Sequence, residues 1–354
     1  MREKTEIINQ VKLYDLLVTV YDLLVTVYCL LITDYWLLIT PERSEGSPTQ
    51  MGKLFIPDSL FGIVIFLEGP YVQVHLGRLW PTSGCVNANI WRYFMQNHIN
   101  VTIKSGAAWI VMNRPEVLNA IALHTSKQIA EAIENATVNP EVRVIVITGA
   151  GQHIFSAGAD LNEVTKMMSS PDGAREFNHA FYRASRAVAA CPKPTVARIQ
   201  GHAIGGGLLL ATACDLRIAT ARAKLGYPVS RLGVMLAPEG LYHLTKLVGV
   251  SRAKWMLFTA EGLSARQAEA WGLVDRVFDD ESFEQEAERI ISDIAKGAPL
   301  SIGVAKGMID QIGRSGQVDD AFLQESYQKV FSSADLKEGF LAVREKRVPI
   351  FEGK

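Results

Sequence analysis

The sequence predicts an α/β fold for the part of the chain that follows residue 94. Three runs of β-branched and small apolar residues are predicted to be buried strands: Val142–Thr148, Thr195–Ile199 and Leu216–Ala219. Stretches with helical periodicity begin near Ala174 and at Gly207, and they separate these strands. Strands that alternate with helices favour stacked βαβ units in one domain.

Local signals predict the elements on either side of this pattern. Val101–Lys104 and Ala108–Met112 are expected to form a strand pair joined across Ser105-Gly106. Thr125–Thr137 has the periodicity of an amphipathic helix, and Asn139-Pro140 is expected to end it. Further helices are predicted at Leu241–Val248 and from Glu284, Leu300, Val318 and Ala334. A domain of this size buries enough apolar surface to need neither a disulfide nor a metal.

Two glycine-bearing turns are the most informative feature of the chain. They lie in Val144–Leu161 and in Pro194–Leu210, each after a predicted strand and before a helix-like stretch. Glycine lets bare backbone approach a ligand, and a helix start leaves its first N–H groups without partners. Two such N–H groups directed at one point would stabilise an oxyanion. The glycine spacing is not that of a dinucleotide site, no Gly-Lys-Ser/Thr follows, and no Gly-x-Ser-x-Gly elbow is present.

This pair of turns resembles the signature of the crotonase (enoyl-CoA hydratase/isomerase) superfamily. The resemblance extends over about residues 98–354 and includes four more segments: Asn113–Ala120, Ala213–Ala219, Leu263–Val277 and Glu338–Lys354. It implies an acyl-CoA thioester as the substrate, with coenzyme A as part of the substrate and no separate cofactor. It further implies that the amides of Ala159 and Gly206 form an oxyanion hole. The neighbouring residues implied to contact the substrate are Ala157, Gly158, Asp160, Leu161 and Gly205.

The same resemblance implies an architecture and an assembly. The expected fold is a crotonase-like stacked ββα superhelix with a C-terminal helical trimerisation region. The expected domains are an atypical repeat-containing extension at 1–94, a crotonase-like core at 95–290 and a C-terminal helical region at 291–354. Members of the superfamily assemble as homotrimers or as dimers of trimers, and we expect the same of this chain.

The acid and base positions of the superfamily's hydratases carry apolar residues here. In those enzymes one glutamate lies two residues after the glycine triplet, and the other follows a proline about twenty residues later. The matching positions are Leu209 and Val229, the latter after Pro228, and neither can carry a proton or orient a water. Both are retained as candidate contacts of the acyl group.

One carboxylate could replace the missing acids. Glu239 lies in Pro238-Glu239-Gly240, which resembles the motif of peroxisomal-type Δ3,Δ2-enoyl-CoA isomerases, where the glutamate moves a proton between C2 and C4. We therefore predict double-bond isomerisation with Glu239 as acid and base. The structural alternative is that Pro238-Glu239 only begins the following helix. An enoyl-CoA hydratase with non-standard acid/base groups, an acyl-CoA decarboxylase and a non-catalytic acyl-CoA-binding homologue are the functional alternatives.

Charge and cysteine content limit the partners. The chain has 36 basic and 37 acidic residues, a net charge of −1, which predicts neither nucleic-acid nor membrane binding. The resemblance suggests Arg114, Lys346 and Arg347 as ligands of the CoA phosphates, with a solvated basic tail as the alternative for the last two. Four cysteines without framework spacing favour a reduced cytoplasm, and no cluster has metal-ligand spacing. His202 is interpreted as a hydrogen-bonded loop residue, and Asp160 as a residue that also fixes its loop.

The first 94 residues have a different character. A seven-residue unit beginning with tyrosine occurs four times from Tyr14 onward, and Pro41–Thr49 has a linker composition. The aspartates at 15 and 22 interrupt the apolar run, which argues against a membrane span or a signal peptide. We interpret this region as a translated upstream repeat and expect the functional chain to begin near Met95. The alternative is a genuine extension that associates with a membrane or a partner.

Overall fold

The structure is a computed structural model that describes residues 38–41, 50–55, 62–68, 71–77, 97–167 and 170–354. The chain divides into two compact units, Met1–Gln96 and Asn97–Lys354. In the first unit, four strands pair in sequence order as an antiparallel sheet: β1 (Leu38–Pro41), β2 (Gln50–Phe55), β3 (Gly62–Glu68) and β4 (Tyr71–Gly77). Most of the predicted repeat and the predicted start at residue 95 lie outside the described residues, and the domain boundaries stay predictions.

A six-stranded sheet is the base of the second unit. Its strand order is β14-β11-β9-β7-β6-β5, and every pair is parallel except the β5–β6 hairpin at one edge. The strands are β5 (Ile99–Lys104), β6 (Ala107–Met112), β7 (Val144–Gly149), β9 (Thr195–Ile199), β11 (Leu216–Thr220) and β14 (Arg276–Phe278). The hairpin and the three buried strands agree with the sequence prediction, and the α/β class is confirmed.

Both faces of this sheet are buried, as a parallel sheet requires. Along β7 the side chains of Ile145 and Ile147 point into the main core, whereas Val144 and Val146 belong to a second cluster on the opposite face. The helix at Phe283–Lys296 covers that second cluster with its buried residues. The two glycine turns lie on the same side of the six-stranded sheet as the main core. The strands that lead into these turns belong to a smaller sheet, which packs on that side.

The smaller sheet positions the candidate site. It contains β8 (Ile154–Ser156), β10 (His202–Ile204), β12 (Lys224–Gly226) and β13 (Leu263–Ser264) in the order β13-β12-β10-β8. Its parallel strands β8 and β10 lead directly into the two glycine turns. Sequence patterns did not predict this sheet, because strands of two or three residues are too short to show an alternation of polar and apolar residues.

The helices that the sequence predicted begin close to their predicted starts. The predicted helix from Ala174 is two helices that meet at Tyr182, and the predicted Leu241–Val248 helix begins earlier, at Pro238. The helices are α1 (Leu123–Val138), α2 (Leu161–Met167), α3 (Pro171–Phe181), α4 (Arg183–Ala190), α5 (Gly206–Ala213), α6 (Val229–Leu232), α7 (Pro238–Val248), α8 (Val250–Thr259), α9 (Ala265–Ala270), α10 (Phe283–Lys296), α11 (Pro299–Ser315), α12 (Asp320–Phe331) and α13 (Ala334–Glu345). Of these, α2, α6 and α8 were not predicted. Within the described ranges, no helix combines the length and the apolar character that a bilayer span needs.

Candidate active site

The two glycine turns are in direct contact. A Cβ built on Gly206 would lie 3.2 Å from the amide nitrogen of Ala159. In the opposite direction, a Cβ built on Gly158 would lie 3.0 Å from the amide nitrogen of Gly206 and 2.8 Å from the carbonyl oxygen of Ile204. Real Cβ atoms essentially never lie as close as 2.8 Å and seldom lie at 3.0–3.2 Å, so glycine at 158 and 206 permits the approach. The structure therefore brings the predicted oxyanion-hole residues together.

Backbone conformation supports the same two turns. Gly158 has φ +103°, and Gly205 has φ +52° with ψ −118°, conformations that residues with a side chain rarely adopt. These two residues redirect the chain immediately before Ala159 and Gly206. Ala157 anchors the first turn, since its amide donates to the carbonyl of Leu118 at 3.0 Å.

The amides of Ala159 and Gly206 are available to a ligand. Asp160 and Gly205 donate their N–H groups to the carbonyls of Ile121 and Gly226. In the described part of the chain, the N–H groups of Ala159 and Gly206 donate to no protein acceptor. Gly206 is the first residue of α5, where an N–H has no partner within the helix. Two donors this close are suited to hold one carbonyl oxygen that gains negative charge.

Asn119 connects the first turn to the Asn113–Ala120 segment. Its side-chain amide donates to the carbonyls of Ala150 and Ile154 at 2.9 and 3.2 Å, and its Oδ1 accepts from the amide of Arg114. The hydroxyl of Ser156 donates to the carbonyl of Asn119 at 2.8 Å. Asn119 has φ +53°, a left-handed conformation that asparagine tolerates better than most residues. The motif that resembles the superfamily's Asn-Arg-Pro…Asn-Ala thus fixes the loop of the first glycine turn.

Arg114 and Asp160 form a buried ion pair next to the hole. Their side chains are 10 and 11% exposed, and the guanidinium lies 3.1 Å from the carboxylate. Arg114 also donates to the carbonyl of Ala120 at 2.8 Å, and Asp160 Oδ1 accepts from the amide of Asn162 at the start of α2. The loop-fixing interpretation of Asp160 agrees with these contacts. The buried guanidinium of Arg114 is engaged in the same role, which argues against its predicted contact with a CoA phosphate. Leu161, at the first position of α2, is 60% exposed beside this pair.

The two hydratase acid positions belong to an apolar wall. Leu209 lies in the first turns of α5 and is 3% exposed. A Cβ built on Gly240 would lie 2.7 Å from Leu209 Cδ1 and 2.9 Å from Leu236 Cδ2, so these residues are in close contact. Val229 begins α6 and packs against the same core. The structure offers no protonatable group at either position.

Glu239 lies in the first turn of α7, directly after its N-terminal proline. Its side chain is 45% exposed, and its carboxylate accepts from Arg186 on α4 at 3.3 Å. Arg186 also donates to the carbonyl of His179. Pro238-Glu239 therefore begins a helix, as the structural alternative stated. Glu239 nevertheless also lines a cavity.

That cavity has a volume of about 1020 Å³. Arg186 of α4 and Glu239 of α7 are among the residues that line it, together with Ile302 and Ile309 of α11. The residues of α5 that line it are Leu209, Thr212 and Ala213, which follow Gly206 toward the C-terminal end of the helix.

The predicted C-terminal phosphate ligands lie at the end of α13. Arg347 donates to both carboxylate oxygens of Glu338 at 2.6 and 2.8 Å and to Glu345 at 2.8 Å. The hydrogen bonds from Arg347 and from the amide of Ile350 lower the pKa of Glu338 to about 2. This network engages Arg347, whereas Lys346 is exposed at the left-handed C-cap of the helix.

His202 is hydrogen-bonded as predicted, because its Nδ1 accepts from the amide of Lys224 at 3.1 Å, but it begins strand β10 and does not lie in a loop. Burial lowers the pKa of His202, which keeps the imidazole neutral. Across residues 97–167 and 170–354, and in the described strands before them, no three potential ligands cluster as a metal site would require.

Sequence reasoning missed three side chains of this region: Phe181, Tyr182 and Arg186. Phe181 packs on Gly206, the hydroxyl of Tyr182 accepts from the amide of Ala237, and Arg186 pairs with Glu239. Phe181 ends α3, Tyr182 lies between the two helices and Arg186 lies on α4. The sequence pattern of this segment indicates only an amphipathic helix. No local signal could have related them to residues 25 or more positions away in the chain.

Comparisons with known proteins agree with this geometry. The sequence profile of the enoyl-CoA hydratase/isomerase family matches residues 102–354. The chain is 33% identical to the short-chain-enoyl-CoA hydratase of Clostridium acetobutylicum over 253 residues, which are 71% of this chain and 96% of that protein. It is 34% identical to the mitochondrial methylglutaconyl-CoA hydratase of Mus musculus, with 70% of this chain and 80% of that protein covered.

Solved structures show the same fold. An enoyl-CoA hydratase/carnithine racemase from Magnetospirillum magneticum is similar with a TM-score of 0.71 and 31% identity, covering 74% of this chain and 98% of that one. An enoyl-CoA hydratase from Bacillus anthracis is similar with a TM-score of 0.67 and 32% identity, covering 73% and 100%. The chain therefore belongs to the enoyl-CoA hydratase/isomerase family, with the crotonase fold, and it is an enzyme that acts on acyl-CoA.

Proposed function

We propose that this enzyme moves a double bond of an enoyl-CoA by way of a thioester enolate. The amides of Ala159 and Gly206 hold the thioester oxygen as it gains charge, and Glu239 transfers the proton. The observation that carries the proposal is the contact between the two turns, whose amides are not engaged by the protein, beside acid positions occupied by Leu209 and Val229. An oxyanion-hole donor of this kind contributes a factor of about 10²–10³ in rate.

The reaction needs one base and no water. The carboxylate of Glu239 takes a proton from C2 or C4, the electron pair moves into the thioester as an enolate, and the proton returns to the other carbon. Product and substrate have the same atoms, so no co-reactant is consumed. Leu209 and Val229 neither position nor activate a water, which disfavours the competing addition of water to the double bond.

The placement of Glu239 is compatible with this role. Glu239 lines the same cavity as Leu209, and the ion pair with Arg186 restricts the orientation of its carboxylate. Its exposure lets it exchange protons with solvent between turnovers. Leu209 and Leu236, both buried, pack beside Gly240, the residue that follows Glu239.

Hydration is the second candidate, because the relatives named above carry hydratase names. It would require acid and base groups other than those at the usual positions. Decarboxylation of a malonyl-type thioester would need the oxyanion hole but little acid or base assistance, and a protein without turnover would only bind acyl-CoA.

Incubation of the purified protein with 3-enoyl-CoA, 2-enoyl-CoA and methylmalonyl-CoA separates these functions. We expect isomerisation of 3-enoyl-CoA that Glu239→Gln abolishes and that Glu281→Gln, an exposed glutamate in a loop, leaves unchanged. Hydration of 2-enoyl-CoA that does not depend on Glu239 would establish the second candidate instead. Loss of CO₂ from methylmalonyl-CoA, or tight binding without turnover, would also contradict the proposal.

The assembly and the phosphate contacts are part of the same proposal. Three residues were predicted to bind the CoA phosphates, and Lys346 is the one whose side chain no other described protein group engages.

Large apolar side chains are exposed on α8, α11, α12, α13 and the tail: Trp255, Phe258, Ile309, Phe331, Phe340, Val348 and Ile350. Such surface is typical of a subunit interface, and we propose that it forms the homotrimer that the family resemblance implies. A monomeric mass in solution at micromolar concentration would contradict this assembly. The cytoplasmic location stays a prediction.

A further inference from the structure

Two adjacent aromatic residues connect the oxyanion hole to the helix that carries Glu239. Phe181 and Tyr182 lie where α3 ends and α4 begins, and they are 6 and 4% exposed. Their rings contact each other edge to face, with centroids 6.0 Å apart and planes at 73°. We call this pair the Phe181–Tyr182 clamp.

The Phe181 side of the clamp packs on the second glycine turn. A Cβ built on Gly206 would lie 2.4 Å from Phe181 Cζ, so the ring rests against the α-carbon of that residue. Phe177, one helical turn earlier, stacks on the Phe181 ring with centroids 5.4 Å apart and so restricts its position. The position of Gly206 relative to α3 is therefore determined by close packing.

The Tyr182 side of the clamp holds the start of α7. Its hydroxyl accepts a hydrogen bond from the amide of Ala237 at 2.8 Å. Ala237 is the N-cap residue of α7, and its carbonyl accepts from the amides of Gly240 and Leu241. Burial raises the pKa of Tyr182, so the phenol stays protonated. Glu239 is two residues beyond the bonded amide, and the orientation of the helix start determines where its carboxylate lies.

The clamp itself is fixed from a third direction. The hydroxyl of Ser126, buried on α1, donates to the carbonyl of Phe181 at 2.7 Å and accepts from the amide of Ala184 at 3.1 Å. These two bonds span the junction of α3 and α4. A buried hydroxyl used in this way restrains both rings relative to α1 and to the main core.

We propose that Tyr182 is a positioning residue that sets the Glu239 carboxylate at its working distance from the oxyanion hole. The inference rests on the proposed function, because it assigns to Tyr182 an effect exerted through Glu239. Tyr182→Phe keeps the ring and its packing but leaves the Ala237 amide without its buried acceptor. A hydrogen bond of this kind is worth about a factor of ten.

The first test is a double-mutant cycle on 3-enoyl-CoA isomerisation. Tyr182→Phe is expected to lower kcat about tenfold with KM changed less than twofold. In the Glu239→Gln background the same substitution is expected to change the residual rate less than twofold. Tyr227→Phe is the matched control: this tyrosine is also buried in the main core, but among the described residues the one hydrogen-bond partner of its hydroxyl is Thr212, at 3.4 Å.

The second test is hydrogen exchange of the amides from Ala237 to Leu241 at pH 7, which does not require turnover. Exchange at Ala237 is expected to become at least about tenfold faster in Tyr182→Phe and to stay unchanged in Tyr227→Phe. Equal losses of rate in both Glu239 backgrounds would show a general structural effect and overturn the inference. Unchanged exchange at Ala237 would also overturn it.

The two tests separate this inference from the proposed function. If wild-type protein does not isomerise 3-enoyl-CoA, or if Glu239→Gln has no effect, the proposed function fails and Tyr182 has no base to position. If isomerisation depends on Glu239 but not on Tyr182, only the inference fails.

Discussion

Gly206→Ala tests the oxyanion hole with the smallest possible change. The new Cβ would lie 2.4 Å from Phe181 Cζ, 2.9 Å from Phe181 Cε1 and 3.2 Å from the Ala159 amide nitrogen. Phe181 is buried and stacked on Phe177, which restricts the movement of its ring. The added methyl group therefore has to displace Gly206 away from Phe181, and Gly206 carries one of the two candidate oxyanion-hole amides.

The contacts set the size of the effect. A carbon–carbon distance of 2.4 Å must increase by roughly 1 Å to become an ordinary contact. A displacement of about 1 Å at a catalytic group costs about 10²-fold in rate, and overpacking costs about 1–3 kcal/mol of unfolding free energy. We expect kcat to fall at least about 100-fold while the unfolding transition stays cooperative.

The assay measures kcat, KM and urea unfolding for three variants in parallel. Gly262→Ala is the control, because a Cβ there would meet only the carbonyl oxygen of Leu225 at 3.9 Å. Adding Phe181→Leu to Gly206→Ala removes ring atoms from the point of collision and should recover part of the lost rate. Wild-type kcat in Gly206→Ala, or an equal loss in Gly262→Ala, would refute the placement of the oxyanion hole at these turns.

Two further predictions concern the Arg114–Asp160 ion pair and the buried His98. Arg114→Met leaves the buried carboxylate of Asp160 without its partner and should lower the unfolding free energy by about 3–5 kcal/mol, measured by urea titration. Adding Asp160→Asn should restore part of that free energy. An unchanged urea midpoint for Arg114→Met would contradict a stabilising pair. Burial, with smaller effects of Arg114 and His124, lowers the pKa of His98 from 6.5 to about 4. As the pH falls, the unfolded chain therefore takes up this proton first, and the unfolding free energy should decrease between pH 6.5 and pH 4. His98→Gln should make the unfolding free energy less dependent on pH in that interval. An identical pH dependence in the variant would argue against the assignment to His98.

Much of the fold and half of the candidate site follow from local sequence. The buried β-branched runs predicted β7, β9 and β11, because a strand covered on both faces has no polar alternation. The contact between the two turns was predictable because it depends on glycine-bearing segments that the sequence displays directly. Leu209 and Val229 were found by counting from the second turn to the two acid positions that the family resemblance implies.

Other parts of the site depend on contacts between segments far apart in the chain. Arg114 was expected to bind phosphate, but its buried partner is Asp160, 46 residues later. The ion pair of Arg186 with Glu239 spans 53 residues.

The sequence by itself therefore determined the class of fold, the two turns and the apolar character of positions 209 and 229. These follow from the conformational freedom of glycine and from the polarity of single residues, which act over a few positions. Tertiary structure alone decided which charges are paired, how α7 begins at Ala237 and which ring rests on Gly206. Those outcomes depend on packing and on desolvation of groups brought together from distant segments, and no local pattern encodes the distances between them.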